Sequence, residues 1–333
     1  KLVTPRKSMK IFVTGATGFL GGTLVRRLCD EGHRVSIVRR ENSDCQRIKG
    51  LNIEHHIGDL DNISTLLKSM EGCELVYHTA AFCKQGVKFK KKLNDINVLG
   101  SKNLFCAALK SDVQKVVAVS STTAIGATTH PEVIDENFSF NLAHHPYAFS
   151  KWQMEQVAWD YCKQGLKIVV VNPATIFGAG DNHCNSGRVI LNARKGKLFA
   201  YPPGGGTHID VNDVVEGMIL AMNKGRPGHR YILGKERLSY KVITEIIFNI
   251  IKKKPPKYRL HKWFLYVVGL GNDTLSRLIG KDMYPSLPAV EMSYKFMYYD
   301  TYKAFRELGF KPVVSIEESL RQTNQWYHDS NYF

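Results

Sequence analysis

The feature that most constrains this chain is Thr14-Gly15-Ala16-Thr17-Gly18-Phe19-Leu20-Gly21-Gly22, close to its start. Ahead of it, Lys10-Ile11-Phe12-Val13 is a short β-branched and aromatic run that reads as a buried strand. Behind it, Leu20, Leu24, Val25 and Leu28 recur at helical spacing up to Gly32, so the stretch opens a helix. A second strand-like run at 34–38 completes a βαβ unit. Three glycines in a loop also make an ordinary tight turn. On a strand-to-helix turn, however, they let the backbone approach a pyrophosphate, and the helix N-terminus offers free N–H groups and a partial positive charge. This context predicts a dinucleotide site, with Gly15, Thr17, Gly18, Phe19, Leu20 and Gly21 against the cofactor.

Strand-like and helix-like segments alternate through the first half. Strands are expected near 10–14, 34–38, 53–57, 74–79, 115–120 and 167–172, and helices near 19–31, 61–70, 94–110 and 147–164. That repetition predicts an α/β fold with a doubly wound parallel sheet over residues 9–173. Beyond Asn172-Pro173 the pattern loosens. A loop, Tyr201-Pro202-Pro203-Gly204-Gly205-Gly206, leads to Thr207-His208-Ile209-Asp210, and helices are expected near 213–222, 239–251, 261–280, 300–308 and 315–329. Residues 174–330 read as a smaller, mostly helical substrate-binding cap interleaved with returning strands.

The 333 residues are 44% hydrophobic, enough for a sizeable core. Seven cysteines are scattered singly with no CxxC pair, which argues against a disulfide framework or a zinc site and for a reducing compartment. His55 and His56 lack a matching carboxylate or cysteine pattern, so no metal is expected. No signal peptide is visible, residues 1–8 read as an extension ahead of Met9, and a cytoplasmic location is expected. The formal net charge of +16 suggests anionic partners. Lys84, Lys88, Lys90, Lys91 and Lys92 form one basic cluster; Lys252, Lys253, Lys254, Lys257, Arg259, His261 and Lys262 form another. Solvated surface accounts for either, and neither has the aromatic interleaving of a nucleic-acid platform, so no specific nucleic acid is expected. Trp263-Phe264-Leu265-Tyr266-Val267-Val268-Gly269-Leu270 is the most apolar run, far short of the ~20 residues of a spanning helix. It reads as a cap helix packed on the core or, with the basic residues before it, as a weak peripheral membrane contact over 252–270.

Tyr147 and Lys151 are spaced i, i+4 on a helix, so both emerge on one face. An ammonium beside a phenol favours the phenolate and is expected to lower the tyrosine pKa from about 10. Such a tyrosine can exchange a proton with a carbonyl or alcohol oxygen while a nicotinamide exchanges hydride. Ser120-Ser121-Thr122 follows a sheet strand, where a hydroxyl can bond the same substrate oxygen.

Gly15-x-x-Gly18-x-x-Gly21, Gly58-Asp59-Leu60, His78-Thr79-Ala80-Ala81 and Asn94-x-x-Asn97-Val98-x-Gly100 together resemble the extended short-chain dehydrogenase/reductases, the epimerase/dehydratase superfamily. So do Val119-Ser120-Ser121-Thr122…Gly126, Tyr147-Ala148-Phe149-Ser150-Lys151 and Asn172-Pro173, in order along nearly the whole chain. The resemblance implies a Rossmann-type sheet, Tyr147 as acid/base, Lys151 as its activator and ribose ligand, and Ser121 as the active-site hydroxyl, with Thr122 second. It also implies that Asp59 and Leu60 flank the adenine, that Ala80, Ala81 and Ser120 line the cofactor cleft, that Asn97 supports the site and that Pro173 backs the nicotinamide. A homodimer is implied through the helices near 94–110 and 147–164, where Leu104, Phe105, Met154 and Val157 serve either an interface or the core.

An acidic residue at the end of the second strand would bond the ribose 2′-OH of NAD. Val38-Arg39-Arg40 stands there instead, and an arginine fits the 2′-phosphate of NADP. The other reading leaves Arg39 and Arg40 exposed, with Glu41 or Asp44 as the acid. Segments 187–196, 208–214 and 225–234 resemble the branch holding dihydroflavonol-4-reductase-like, 3β-hydroxysteroid-dehydrogenase-like and hopanoid-associated sugar epimerase proteins. Nucleotide-sugar epimerases carry an arginine shortly before the histidine of the His-x-x-Asp segment. Gly205, Gly206 and Thr207 occupy those places, leaving Arg188 or Arg194 as substitutes. His144, His145 and Asn172 are further substrate candidates, with exposed-loop or backbone-bonding roles as the alternative. The expectation is an NADP-dependent oxidoreductase acting on a ketone or secondary alcohol; a sugar epimerase or dehydratase with retained cofactor uses the same residues. A non-catalytic dinucleotide-binding regulator would need none of Tyr147, Lys151 and Ser121.

Overall fold

Seven parallel strands position the site, in the order Arg230–Leu233, Ile168–Pro173, Lys115–Val119, Leu75–His78, Lys10–Thr14, Arg34–Arg39, Ile53–Ile57. The computed structural model describes residues 8–84, 86–279 and 285–333; residues 1–7 of the expected extension, Gln85 in the first lysine cluster and Gly280 at the end of the expected 261–280 helix lie outside them. The central strands are apolar on successive residues because both sheet faces are covered. Ile11, Val13, Val117, Val119, Val169 and Val171 point to one face, where the helices Phe19–Asp30 and Val211–Lys224 bring Leu24, Val25, Leu28, Val214 and Met218. Phe12, Val116, Ala118, Ile168 and Val170 point to the other, under Leu66, Leu104, Phe105, Met154 and Ala158. Each large side chain so buried contributes roughly 1.5–3 kcal/mol. Leu104, Phe105 and Met154 are thus consumed by the chain's own core and are not open to a partner.

Lys10–Thr14 lies between Arg34–Arg39 and Leu75–His78, so the chain winds away in both directions from this strand. The crevice of a doubly wound sheet opens there, at the carboxyl ends marked by Thr14 and His78. The expected helix at 94–110 is interrupted. Lys90–Leu93 and Gly100–Lys110 are α-helical, and Asn94–Leu99 between them is a wider π-helical turn. Such a turn re-aims a side chain within a helix, here Asn97, which is buried.

A second sheet runs Glu236–Ser239, Gly205–Asp210, Phe296–Tyr299, Val133–Ile134, with Thr175–Phe177 also paired to Gly205–Asp210. The glycines at 204–206 suggest a loop, but Gly205–Asp210 is a fully buried strand. A Cβ at Gly204 would stand 2.3 Å from the Lys295 carbonyl oxygen, and one at Gly205 2.3 Å from the Tyr298 hydroxyl. These glycines allow close strand approach rather than a turn. Past the end of the first half, Arg230–Leu233 returns to the main sheet beside Ile168–Pro173. Helices Tyr240–Ile250 and Ile316–Asp329 close a third cluster around Phe177, Ile190, Ile247 and Leu320. Among the described residues no helix is long and apolar enough to cross a membrane, and no group of three His, Cys, Asp or Glu could hold a metal ion.

Candidate active site

The glycine loop is built for close approach. Gly15 has φ +71°, and a Cβ there would lie 2.7 Å from the Ala80 nitrogen. A Cβ on Gly21 would lie 2.2 Å from the Gly15 carbonyl oxygen and 2.6 Å from Thr79 Oγ1. Helix Phe19–Asp30 therefore seats its first turn directly on the Leu75–His78 strand end. Gly18 caps that helix without a side-chain bond, and no acidic residue stands in the first turn. Its amide N–H groups and positive end favour a phosphate, so the residues present fit a dinucleotide. Thr79 Oγ1 donates to the Thr14 carbonyl (2.7 Å), and His78 is bonded by Thr14 Oγ1 (2.7 Å) and Ser101 Oγ (2.8 Å). Burial, with Lys151 nearby, pushes His78 down to about 3, so it is a neutral strut beneath the cleft. Ala80 and Ala81 follow on its rim, half-buried.

At the second strand's end, Arg39 donates from Nε to His55 Nδ1 (3.2 Å) and from Nη1 to the carbonyls of Arg40 and Glu41 (3.3 and 3.2 Å). Arg40 is exposed. Asp44, one alternative acid for a ribose, turns its carboxylate to its own turn and accepts from Gln46 N (2.9 Å). Asp59 accepts from Leu60 N (2.8 Å), and the Leu60 side chain packs into the core against Gly100. Arg47 carries no motif signal. From the short turn after the second strand it donates to Thr23 Oγ1 (2.9 Å) and to the Gly180 carbonyl (2.7 Å), with its guanidinium over the Phe19 ring. It fastens the glycine-loop helix to the 178–181 loop across the cleft. Only the fold brings these segments together.

The helix Pro146–Lys163 carries the proposed acid/base pair. His145 is its N-cap, accepting from Ala148 N (3.3 Å), and burial lowers its pKa to about 4. It is a neutral cap, not an exposed loop histidine. His144 is exposed and pairs with Glu291 (2.7 Å). One turn into the helix, the Tyr147 phenol meets Ser121 and Cys83. Lys151 Nζ donates to the Val119 carbonyl (2.7 Å), anchoring the helix to the sheet. Burial lowers Lys151 to about 8, against the charges of Cys83 and Glu155, which raise it. The phenol itself is pushed well above its ordinary value, because burial and Cys83 outweigh the Ser121 hydrogen bond. This reverses the lowering expected from the i, i+4 spacing. Spacing brings the ammonium to the same face, but its closest partner is a backbone carbonyl.

Ser121 and Thr122 separate clearly. Ser121 Oγ accepts from Thr123 N (3.2 Å) and Thr123 Oγ1 (3.0 Å) and lies beside the Tyr147 phenol, whose pKa it lowers. Thr122 is buried and lies instead beside the Tyr299 hydroxyl, which donates to the Gly126 carbonyl (2.7 Å). Behind them lies a buried polar knot that residue patterns do not announce. Asn172 Nδ2 donates to the Ser121 carbonyl (2.9 Å) and to Glu155 Oε1 (2.6 Å), and Arg230 Nη1 donates to Glu155 Oε2 (3.0 Å). Glu155 is fully buried and adjoins Ser120. At i+4 from Lys151 and i+8 from Tyr147 it continues the same helix face, and that spacing could have revealed it. Asn172 is thus a backbone-bonding residue that holds Ser121. Asn97 does similar work: its amide bonds both backbone groups of Phe82 (2.8 and 3.0 Å) and Ser150 Oγ (3.0 Å). Pro173 ends its strand opposite Leu233, buried. Arg188 bonds the Cys184 carbonyl (3.2 Å), whereas Arg194 is turned away onto Asn324 (2.8 Å) and the Phe333 ring.

A doubly wound sheet with a glycine cradle at its switch point, and a Tyr-x-x-x-Lys helix beside it, defines a class of NAD(P)-dependent enzymes. Residues 11–234 match the NAD dependent epimerase/dehydratase family, and the chain belongs to it. Its relatives are NAD(P)-dependent oxidoreductases, epimerases and dehydratases. It is 34% identical to a Synechocystis sp. protein named "Putative dihydroflavonol 4-reductase", over 96% of this chain and 95% of that one. It is 29% identical to sterol demethylase protein B of Methylococcus capsulatus, over 96% and 99%. Among solved structures, that of gox2253 superposes with a TM-score of 0.85 at 31% identity, covering 97% of this chain and 99% of the other.

Proposed function

We propose that the chain is an NADP-dependent oxidoreductase that interconverts a ketone and a secondary alcohol on a fairly apolar substrate. The carrying observation is the meeting of the Tyr147 phenol and the Ser121 hydroxyl beside Lys151, with no arginine at 205–207 and with Arg194 turned away, which disfavours a sugar diphosphate. The nicotinamide, when bound, supplies or accepts the hydride at the substrate carbon. Tyr147 donates its phenolic proton to the carbonyl oxygen in reduction, and takes it back in oxidation. A phenol held protonated by burial suits the reducing direction. Ser121 donates to the same oxygen as charge develops there, and Lys151 supplies the positive field that stabilises the resulting phenolate. Arg39 and Arg40, at the end of the second strand, would meet the 2′-phosphate of a bound NADP, and this supports NADP over NAD.

The test is a cofactor assay on purified protein: what is released on denaturation, and whether NADPH or NADH binds more tightly. Protein free of nucleotide that prefers NADPH, and then reduces members of a carbonyl-compound panel, is the expected result. Stoichiometric retained NAD would overturn the arginine reading and point to epimerase or dehydratase chemistry with recycled cofactor. Binding without turnover on any substrate class would leave a regulator.

A further inference from the structure

The helix Lys262–Ile279 is amphipathic in the wrong sense for a globular protein. The side it turns to the protein combines the half-buried Leu265 and Val268 with a small and polar stripe. Gly269 lets Leu287 and Val290 close against the helix, Asn272 Nδ2 donates to the Pro285 carbonyl (3.0 Å), Asp273 accepts from Leu287 N (3.2 Å), and Ser276 is buried. Positions 269, 272, 273 and 276 follow the i, i+3, i+4, i+7 spacing of one helix face. The outward stripe has the same spacing and opposite character. Trp263 is 66% exposed, Tyr266 52%, Val267 60% and Leu270 52%, with Leu278 at 79% further along. A contiguous run of exposed aromatic and aliphatic side chains needs an apolar cover.

The charge around the stripe decides between covers. Lys252, Lys253, Lys254, Lys257, Arg259 and Lys262 precede or open the helix, all exposed. Among the described residues none of the six forms an ion pair with a carboxylate. A second copy of a chain with net charge +16 would bring the same lysines against themselves. An anionic bilayer offers both complements: headgroups for the lysines, and acyl-chain boundary for Trp263, Val267 and Leu270, with the Trp263 and Tyr266 rings suited to the interface. Over its described residues the helix is not long and apolar enough to span.

We propose that residues 252–279 are a peripheral docking surface for anionic lipid bilayers, with the helix lying in the interface plane. The test is flotation of the full chain with phosphatidylcholine vesicles and with mixed phosphatidylcholine/phosphatidylglycerol vesicles, at low and high salt. Binding to the mixed vesicles, weakening with salt and absent from phosphatidylcholine alone, is expected. The combined Lys252→Ala, Lys254→Ala and Lys257→Ala variant should lose roughly a hundredfold in partitioning. The combined Trp263→Ser, Val267→Ser and Leu270→Ser variant should lose binding while retaining dinucleotide affinity, which reports an intact fold. No binding to mixed vesicles at low salt would overturn the proposal, as would binding that survives the serine substitutions. A dimer in lipid-free solution that the serine substitutions dissolve would assign the stripe to a second copy and overturn it equally.

Discussion

At the residue scale, the site depends on groups held in place rather than on groups intrinsically activated. Burial keeps the Tyr147 phenol protonated, and the neighbouring Ser121 hydroxyl pulls the other way. Replacing Tyr147 by Phe removes the proton without changing the ring's volume. Carbonyl reduction is expected to fall roughly 10²- to 10⁴-fold with dinucleotide affinity retained, measured as kcat and by nucleotide fluorescence titration. Glu155 is a positioning residue: fully buried, it joins Arg230 to Asn172 and so to the Ser121 backbone. Glu155→Ala leaves that guanidinium without its carboxylate and is expected to cost about 3–5 kcal/mol in denaturant unfolding. Glu155→Gln, which keeps shape and a hydrogen-bond acceptor, should cost less and shift kcat more than KM.

At the element scale, the contact between helix Phe19–Asp30 and the Leu75–His78 strand end sets the cradle. Gly21→Ala would put a methyl group 2.2 Å from a backbone oxygen that cannot swing aside. The helix must then move off the sheet, with an expected loss of about 1–3 kcal/mol and of dinucleotide affinity by more than tenfold, read from thermal unfolding and titration on one preparation. The central parallel strands were legible because they carry apolar runs, as in Val116-Val117-Ala118-Val119. Gly205–Asp210 was not, because glycines that permit strand crowding look in a sequence like glycines that make turns. The π-helical turn at Asn94–Leu99 was equally hidden, since its apolar spacing fits an ordinary helix.

At the scale of the whole molecule, the C-terminal third is tied back to the main sheet. Glu307, on helix Tyr302–Leu308, pairs with Arg226 and accepts from Tyr231 Oη (2.9 Å) on the returning strand. Burial alone would raise this carboxyl; hydrogen bonds from Arg226, Tyr231 and Arg306 overcome that and hold it at about 2, below its ordinary 4.5. Between those values the unfolded chain binds more protons than the folded one. The tie is therefore complete above pH 4.5, weakens as pH falls and is lost below about pH 2. Arg226 is 58% exposed, so solvent screening keeps the contribution of the tie small. Glu307→Gln should remove that part of the acid limb in a series of unfolding curves between pH 5 and pH 2, leaving neutral stability lower by the same amount.

The sequence by itself determined the α/β class and the glycine cradle and put Tyr147 and Lys151 on one helix face, because each is written in local spacing that survives without neighbours. Tertiary structure alone decided which hydroxyl faces the phenol, since Ser121 and Thr122 are adjacent in the chain and differ only in what packs against them. It decided the Glu155–Arg230–Asn172 knot and the Arg47 clasp, which join residues 75 and 133 positions apart. It also decided which side of the Lys262–Ile279 helix is left in solvent. Periodicity marks an apolar stripe, but only packing determines whether that stripe is covered.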